Sequence, residues 1–369
     1  MKKIMLDQMI LTTCCPTDAG SKMLEGFTSL FDATVVEKLT GAGYEIAGKA
    51  PVGEFAIDLV GETNYKGERF DAECLKNDTV LALIGLDVNG APRRIAAQSG
   101  LVLAKPTYGI VSRFGTVPVA CSGECVSVMA KNAADCREVL DAMVGKDEKD
   151  GTMHADEVCK NAVAVAKDVK KVAVLKTGSA ADESAEMIAA KAKMAASGIE
   201  ITEIDAGVIA SAKSAWNMLM CAELCNNVSR YDGIKYGYRT KNYKTLDELY
   251  TNSRTEAFGL LLKTAILYGS DVLSTKNYMA KYDKALRVRR VVADAFAEIF
   301  ARFDAVLLPA CSKTSYTESD TAFEENLYTA PASITGLPAV VAGGVQLMGP
   351  AFSDGTLLAL AALLAKEGK

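Results

Sequence analysis

The chain has 369 residues, 50% of them hydrophobic and 24% charged, and its 41 basic and 46 acidic side chains give a formal net charge of −5. This composition is typical of a globular protein and excludes a disordered, collagenous or coiled-coil chain. The mild acidity excludes an extended basic surface, so neither direct nucleic-acid binding nor membrane binding is expected. The length allows two or three ordinary domains or one large α/β domain.

No targeting or membrane segment is evident. Residues 1–15 lack the apolar core and cleavage site of a secretory signal and are interpreted as a buried strand. The longest apolar stretch, residues 357–365, is shorter than the roughly 20 residues that a membrane span needs. The ten cysteines form no C-x-x-C pair. The sequence therefore predicts a cytoplasmic protein with reduced cysteines, no metal site and no cofactor.

Short β-branched runs alternate with helical stretches along the chain. Strands are predicted at residues 4–11, 44–48, 80–87, 170–176, 199–205, 304–310 and 339–348. Helices are predicted at residues 32–43, 132–145, 184–198, 248–269 and 277–304. Asp32 is the predicted N-cap of the first helix. The alternation predicts an α/β fold in which helices cover both faces of the sheet.

The only histidine, His154, lies in a charged segment and is predicted to be a solvated loop residue. Histidine-dependent catalytic triads and multi-histidine metal sites are therefore excluded. A nucleophile in this chain would need a lysine, a carboxylate or an unusual serine arrangement to activate it.

Several motifs carry a family resemblance. They include KPTYG at 105–109 followed by VSRFG at 111–115, and SRYDGIKYG at 229–237. Further matching segments lie at residues 31–49, 54–56 and 327–341. With them the chain resembles the amidase signature family, most closely the A-type component of the amidotransferases for glutamyl-tRNA(Gln) and aspartyl-tRNA(Asn). The resemblance implies a single α/β/α domain over residues 1–369, with a twisted mixed sheet covered by helices on both faces.

In that family a Ser/cis-Ser/Lys triad cleaves amides, and the resemblance places Leu6 at the lysine position and Ala91 at the position of the nucleophilic serine. A leucine accepts no proton and an alanine has no nucleophilic atom. The glycine- and serine-rich loop that carries the cis-serine is predicted to be missing between Phe55 and Gly85. The family's N-terminal helical segment is also predicted to be absent.

The resemblance also bears on ligand contacts. Ala265 and Asn326 stand where the family holds its amino acid substrate with an arginine and an aspartate. Both charge-assisted contacts are thus predicted to be lost. A remnant pocket is predicted from polar groups in the segment 227–239, namely Arg230, Tyr231, Asp232, Tyr236 and Arg239.

These losses predict a catalytically inactive amidase-fold protein that acts as a scaffold, regulator or binding protein. Its expected partners are B- or C-type amidotransferase subunits, an active A-type homologue, or a second copy of the chain. The alternative is an active amidase, glutaminase or A-type amidotransferase component with a nucleophile that the family does not use. The side chains considered for that role are Cys14, Cys15, Cys121, Cys125, Ser99 and Ser112, with Lys105 and Arg113 as the nearby cations.

Overall fold

Ten strands form one sheet in the computed structural model, which describes residues 2–57, 63–205, 207–312 and 322–365. The strands are β1 (Lys3–Asp7), β2 (Glu45–Ala50), β3 (Ala82–Asp87), β4 (Val102–Lys105), β5 (Cys125–Ala130), β6 (Lys171–Lys176), β7 (Glu200–Asp205), β8 (Ala305–Pro309), β9 (Ala339–Ala342) and β10 (Val345–Met348). Their order across the sheet is β2-β1-β3-β5-β4-β9-β10-β8-β6-β7. The sheet is mixed, as the resemblance implies.

Three neighbouring strands at one end of the sheet, β1, β2 and β3, run parallel to one another. Strand β1 runs parallel to both β2 and β3, and its register places Leu6 beside Lys49 on one side and Ile84 on the other. The central pairs from β3 to β8 are antiparallel, whereas β8, β6 and β7 are again parallel. Because β1, β2 and β3 point the same way, their carboxyl ends meet on one side of the sheet.

Thirteen α-helices are present in the described ranges. They are α1 (Thr34–Gly41), α2 (Glu73–Lys76), α3 (Ala91–Ser99), α4 (Ala133–Met143), α5 (Asp156–Ala164), α6 (Ala185–Ala196), α7 (Gly207–Asn227), α8 (Leu246–Ala257), α9 (Leu260–Leu273), α10 (Lys284–Phe300), α11 (Ala322–Glu325), α12 (Ala330–Thr335) and α13 (Asp354–Leu364). The side chains of Asn132, Ser184 and Thr245 accept a backbone N–H at the starts of α4, α6 and α8. These residues are therefore N-caps.

Helices cover both faces of the sheet. The larger apolar core includes the fully buried rings of Trp216 and Phe296, while a smaller core on the other face joins Ala96 of α3 to Leu83 and Val341. The predicted α/β fold with helices on both faces is therefore confirmed.

The element predictions need several corrections, beginning with the predicted strand 4–11, which ends at Asp7. Strands β4 and β5 are absent from the predicted set, and the predicted strand 339–348 is two strands that turn at Gly343 and Gly344. The predicted helix 248–269 is broken between α8 and α9, where the N–H of Gly259 donates to Glu54 at 2.9 Å. Asp32 is not the N-cap of α1, because its carboxylate accepts the backbone N–H of Thr13 at 2.6 Å instead.

Part of one sequence prediction lies outside the described residues. The segment predicted to lack the glycine- and serine-rich loop includes residues 58–62, which the structure does not describe. Within the described ranges, no helix combines the length and the apolar character needed to cross a bilayer.

Candidate active site at the carboxyl ends of the parallel strands

Three segments follow the parallel strands and form one surface, here called the carboxyl rim: residues 8–33 after β1, 51–57 after β2 and 88–90 after β3. Hydrogen bonds join the segments. The N–H of Phe55 donates to the carbonyl of Ala19 at 2.8 Å, which joins the second segment to the first. The side-chain amide of Asn89 reaches the carbonyl of Ile57 at 3.4 Å. In open α/β sheets, ligands bind outside the carboxyl ends of the strands, so the rim is the candidate site.

Unusual backbone conformations are concentrated in the rim. Ala19, Phe55 and Ala56 have φ angles of 52°, 51° and 56° although none is glycine. Left-handed backbone costs an ordinary residue roughly 1–2 kcal/mol. All three residues are buried, and the bond between Phe55 and Ala19 holds two of them together. Strain of this kind is often found at functional sites.

Asp7 connects the end of β1 to β3. Its buried carboxylate accepts the N–H of Met9 at 2.8 Å and that of Leu86 at 2.7 Å. Burial raises the pKa of Asp7 to about 6, although these N–H donors and the charge of Lys49 act in the opposite direction. A side chain at Gly85 would lie 2.8 Å from the carboxylate, so this close packing requires glycine.

Lys49 is a basic residue that sequence reasoning missed as a functional group. It lies on β2 directly beside Leu6, and paired residues of neighbouring strands project on the same face of a sheet. The Nζ atom donates to the carbonyls of Asp7, at 3.0 Å, and of Ile10. Burial lowers the pKa of Lys49 to about 8, with nearby Asp7 and two cysteines opposing the shift. The side chain can therefore release and take up a proton near neutral pH.

Two adjacent cysteines complete what is here called the thiol–lysine cluster: Cys14, Cys15 and Lys49. The sulfur atoms of Cys14 and Cys15 lie 3.2 Å apart, and the hydroxyl of Thr12 donates to the Cys14 sulfur at 3.3 Å. Burial and the contact with Cys14 raise the pKa of Cys15 to about 11, against the charge of Lys49. The raised pKa keeps the Cys15 thiol protonated at neutral pH, next to the exposed Cys14 thiol. The cluster places an accessible thiol near a titratable amine.

Helix α3 begins directly after the rim segment 88–90. Ala91 is its first residue and is buried, as is Leu6 on β1. Two residues before Ala91, the side-chain oxygen of Asn89 accepts a hydrogen bond from Asn326 at 2.8 Å, and Asn326 also donates to Asn217 at 2.5 Å. The side-chain oxygen of Asn326 is buried and accepts no hydrogen bond from the described atoms. Ala265 is buried within α9. The family roles inferred for these positions stay predictions.

Behind the start of α3 lies the Arg93 network, made of Arg93, Asp87, Ser333 and Gln346. The buried guanidinium donates to both carboxylate oxygens of Asp87, at 2.7 and 3.1 Å. It also donates to Ser333 at 2.9 Å, to Gln346 at 3.0 Å and to the carbonyl of Thr329 at 2.8 Å. All of these donors have partners, which indicates a structural role.

The residues predicted to form a remnant pocket lie close together along the chain but serve different contacts. The ring of Tyr231 packs against Tyr236 at a centroid distance of 5.8 Å and against rim residue Phe55 at 5.4 Å. The Arg230 side chain donates to the backbone carbonyl of Asn227 at 2.9 Å. Asp232 accepts the N–H of Ile234 at 2.8 Å, and Arg239 donates to Tyr243 at 3.3 Å. A pocket lined by these residues stays a prediction.

The other side chains considered as nucleophiles are disfavoured by burial or lie outside the rim, although the buried Cys125 thiol does have Lys105 beside it. Burial raises the pKa of the Cys121 and Cys125 thiols, which disfavours their thiolates. The buried Ser112 donates to Asp147 at 2.6 Å, and Ser99 is the last residue of α3. His154 is exposed. In the described part of the chain, no three His, Cys, Asp or Glu side chains are grouped as metal ligands.

The sequence matches the family described as Amidase over residues 4–68 and 77–358. It is 31% identical to the A-type component of the glutamyl-tRNA(Gln) amidotransferase from Agathobacter rectalis, covering 97% of this chain and 78% of that protein. The protein of the same name from Acinetobacter baumannii is 32% identical, covering 93% of this chain and 78% of the relative.

Solved structures agree with these matches. The corresponding A-type component of the glutamyl-tRNA(Gln) amidotransferase of Thermotoga maritima superposes with a TM-score of 0.75 at 25% identity, covering 98% of this chain and 82% of that one. The peptide amidase of Stenotrophomonas maltophilia also has a TM-score of 0.75, at 21% identity and with coverages of 98% and 82%, and shows the shared fold.

These findings correct the predicted function. The expectation of a catalytically inactive scaffold, regulator or binding protein is wrong, because the family match extends across the chain and the relatives of similar extent are named as amidotransferase subunits. The predicted family resemblance and fold are confirmed. With a family match over most of its length and relatives above 30% identity, this chain is a member of the amidase family.

Proposed function

We propose that this chain is an amide-cleaving enzyme of the amidohydrolase and amidotransferase class that uses Cys14 as its nucleophile and Lys49 as its base. One observation supports the assignment most directly: the half-buried Lys49 amine, whose pKa burial lowers to about 8, is near enough to the exposed Cys14 thiol for the two groups to interact electrostatically. Names of the relatives support the reaction class.

The reaction begins when the neutral Lys49 amine takes the proton of the Cys14 thiol. The thiolate attacks the carbonyl carbon of a carboxamide, and the carbon–nitrogen bond breaks as Lys49 returns the proton to the departing ammonia. Water then cleaves the Cys14 thioester. One amide and one water thus give one carboxylic acid and one ammonia, and in an amidotransferase the ammonia passes to an acceptor.

Neighbouring groups assist both partners in this step. Once Cys14 is a thiolate, the Cys15 thiol, whose sulfur lies 3.2 Å away, can donate a hydrogen bond to it and stabilise the negative charge. The carbonyls of Asp7 and Ile10 fix the Nζ atom of Lys49. Helix α3 begins just after β3, so its N-terminus presents a partial positive charge to the rim, where an oxyanion would develop.

The uncharged side chains of Ala265 and Asn326 affect which substrates we expect. Neither carries a charge, so at these positions the site offers no ion pair to the ammonium or carboxylate of an amino acid. We therefore assign as substrate a carboxamide held by hydrogen bonds and apolar contacts. Ammonia release from simple carboxamides should then equal or exceed release from glutamine.

Ammonia release by the full chain and two variants tests the proposal. Cys14→Ala and Lys49→Met should each lower the rate at least about 100-fold. Cys225→Ala is the matched control, because this half-buried thiol on α7 contacts Ser270 at 3.1 Å and lies outside the rim. It should keep the wild-type rate. An unchanged rate in Cys14→Ala, or no amide cleavage by the wild type, would contradict the assignment.

The relatives are named as subunits, which supports an assembly with B- or C-type amidotransferase subunits. Affinity purification of the full chain from its own cells, followed by intact mass analysis, tests this part. Recovery with those subunits is expected, and ammonia release should then be measured on the assembly. Recovery as an isolated monomer would contradict the proposed partnership.

A further inference from the structure

The two thiols of the cluster are close enough to react with each other. Cys14 and Cys15 are neighbours in the chain, and their sulfur atoms are in contact at 3.2 Å. Cys14 is exposed and Cys15 half-buried, so a small reagent can reach the pair. The contact between the two sulfurs is local, because both residues belong to one short loop.

The surrounding loop holds this pair in place. Just before it, the N–H of Leu11 donates to Gly115 at 2.8 Å, and the N–H of Thr13 donates to Asp32 at 2.6 Å. The Thr12 hydroxyl donates to the Cys14 sulfur. These contacts fix the backbone on the N-terminal side of Cys14.

Reactivity differs between the two sulfurs. Cys14 accepts hydrogen bonds and is exposed, so it attacks an incoming reagent first. Lys49 lies close enough to interact electrostatically with both thiols and can take the proton of Cys15 in a second step. The acidic groups that also act on this cluster are Asp7, Asp18 and Asp32.

We propose that Cys14 and Cys15 form a redox-sensitive dithiol, which low-molecular-weight disulfides such as oxidised glutathione convert into a disulfide between the two adjacent residues. The loss of amide cleavage that we expect from this oxidation rests on the proposed function, because the reaction consumes the Cys14 nucleophile. Formation of the disulfide does not rest on it.

Formation of the disulfide needs no reagent other than the low-molecular-weight disulfide, here written RS–SR. The Cys14 thiolate attacks one sulfur of the disulfide RS–SR, which releases RS⁻ and leaves a mixed disulfide on Cys14. Cys15 loses its proton to Lys49 and attacks the Cys14 sulfur, which releases the second RS⁻. The two protein thiols are oxidised, the reagent is reduced to two RSH, and the two thiol protons end on the released thiols.

Such a bond should be easy to reverse. Neighbouring Cα atoms are about 3.8 Å apart, which is below the usual range of about 4.4–6.8 Å for disulfides. The resulting ring is strained, and strained disulfides are reduced more readily than structural ones. The pair therefore suits a reversible response to the thiol–disulfide balance better than permanent cross-linking.

The full-length protein treated with oxidised glutathione tests the inference, with intact mass and peptide mapping as readouts. The wild type should lose two hydrogen atoms within the peptide that contains residues 14 and 15 and should keep no glutathione. Cys15→Ser should instead keep one glutathione on Cys14, because no second thiol can displace it. Cys225→Ala should behave as the wild type does. Dithiothreitol should restore the original mass.

Glutathione kept on Cys14 in the wild type, or an unmodified pair, would overturn the inference. Ammonia release measured on the same samples separates the two proposals. A reversible disulfide in a protein that cleaves no amide would sink the proposed function and leave the dithiol standing. Amide cleavage that oxidised glutathione does not inhibit would sink the regulatory role.

Discussion

Two basic side chains, Arg93 on α3 and Lys49 on β2, serve different purposes. Arg93 makes hydrogen bonds to Asp87, Ser333, Gln346 and a backbone carbonyl, and its charge is paired with a carboxylate in bidentate geometry. Lys49 reaches only carbonyl oxygens with its described hydrogen bonds, and the carboxylate of nearby Asp7 is turned towards backbone N–H groups.

The difference shows that the partners of a desolvated basic side chain decide whether it has a structural or a chemical role. A guanidinium with a full set of partners stays charged and holds elements together. An ammonium that is desolvated without a close counter-ion has a lowered pKa, as Lys49 does, and can act as a base. Each of the following experiments tests one side of this comparison.

Arg93→Met should give the largest effect. Removing one partner of a buried ion pair leaves the Asp87 carboxylate uncompensated, so the free energy of unfolding should fall by about 3–5 kcal/mol in urea denaturation at pH 7. The control is Arg290→Met, because Arg290 pairs with Asp294 on the surface of α10. That variant should change stability by less than about 1 kcal/mol. Equal losses of unfolding free energy in both variants would contradict the structural role of the Arg93 network.

Asp354 provides a pH-dependent test of burial. Its carboxylate accepts the N–H of Thr107 at 2.8 Å and its hydroxyl at 2.6 Å, yet burial raises the pKa to about 6. The folded protein holds this proton between about pH 4 and 6, whereas the unfolded chain releases it. The free energy of unfolding should therefore fall by up to about 3 kcal/mol as the pH rises from about 4 to about 6.

Asp354→Asn is neutral at every pH and should lack that part of the decline. Urea denaturation of both proteins at several pH values between 4 and 7 gives the difference. Parallel pH profiles for the two proteins would show that Asp354 does not titrate in this range.

Lys49 should set the pH dependence of amide cleavage. Because the base must be neutral, the rate should rise with pH and reach half its maximum near the lysine pKa of about 8. Lys49→Met should abolish this rise together with at least about 100-fold of the rate, equivalent to about 2.7 kcal/mol. A variant that keeps the same pH profile at a lower rate would show that another group is the base.

Asn326→Asp should have the smallest effect. The substitution removes the N–H donors to Asn89 and Asn217 and places a carboxylate against two carbonyl oxygens. We expect a loss of about 1–3 kcal/mol at pH 7 that shrinks at acidic pH, where the carboxyl is protonated. Urea denaturation at the two pH values measures this, with Asn326→Leu as a control whose loss should not depend on pH.

Most of the fold is predictable because apolar periodicity reports burial directly. Strands such as β3 and β8 are continuous apolar runs, and the predicted helices correspond to α1, α4 and α6. Strands β4 (Val102–Lys105) and β5 (Cys125–Ala130) are short apolar runs, which periodicity alone does not assign to strand or helix. The break before α9 depends on Glu54, which is about 200 residues away in sequence.

The site is less predictable for a similar reason. The sequence indicates Cys14, Cys15, Cys121 and Cys125 among the candidate nucleophiles, with Lys105 and Arg113 as the nearby cations. In the structure Lys105 donates to the carbonyl of Leu337 at 2.9 Å, and Arg113 pairs with Glu124 at 3.1 Å. Lys49 carries no local signal, because its importance comes from strand pairing with β1.

The sequence by itself determined the composition class, the alternation of strands and helices, the family and the residue types available for chemistry, because each of these depends on local pattern or on motif order. Only the tertiary structure decided that β1 and β2 pair in a register that sets Lys49 beside Leu6, that burial lowers the pKa of this lysine, and that two thiols lie within its reach. Proximity and desolvation arise when distant segments pack together, so neither can be read along the chain.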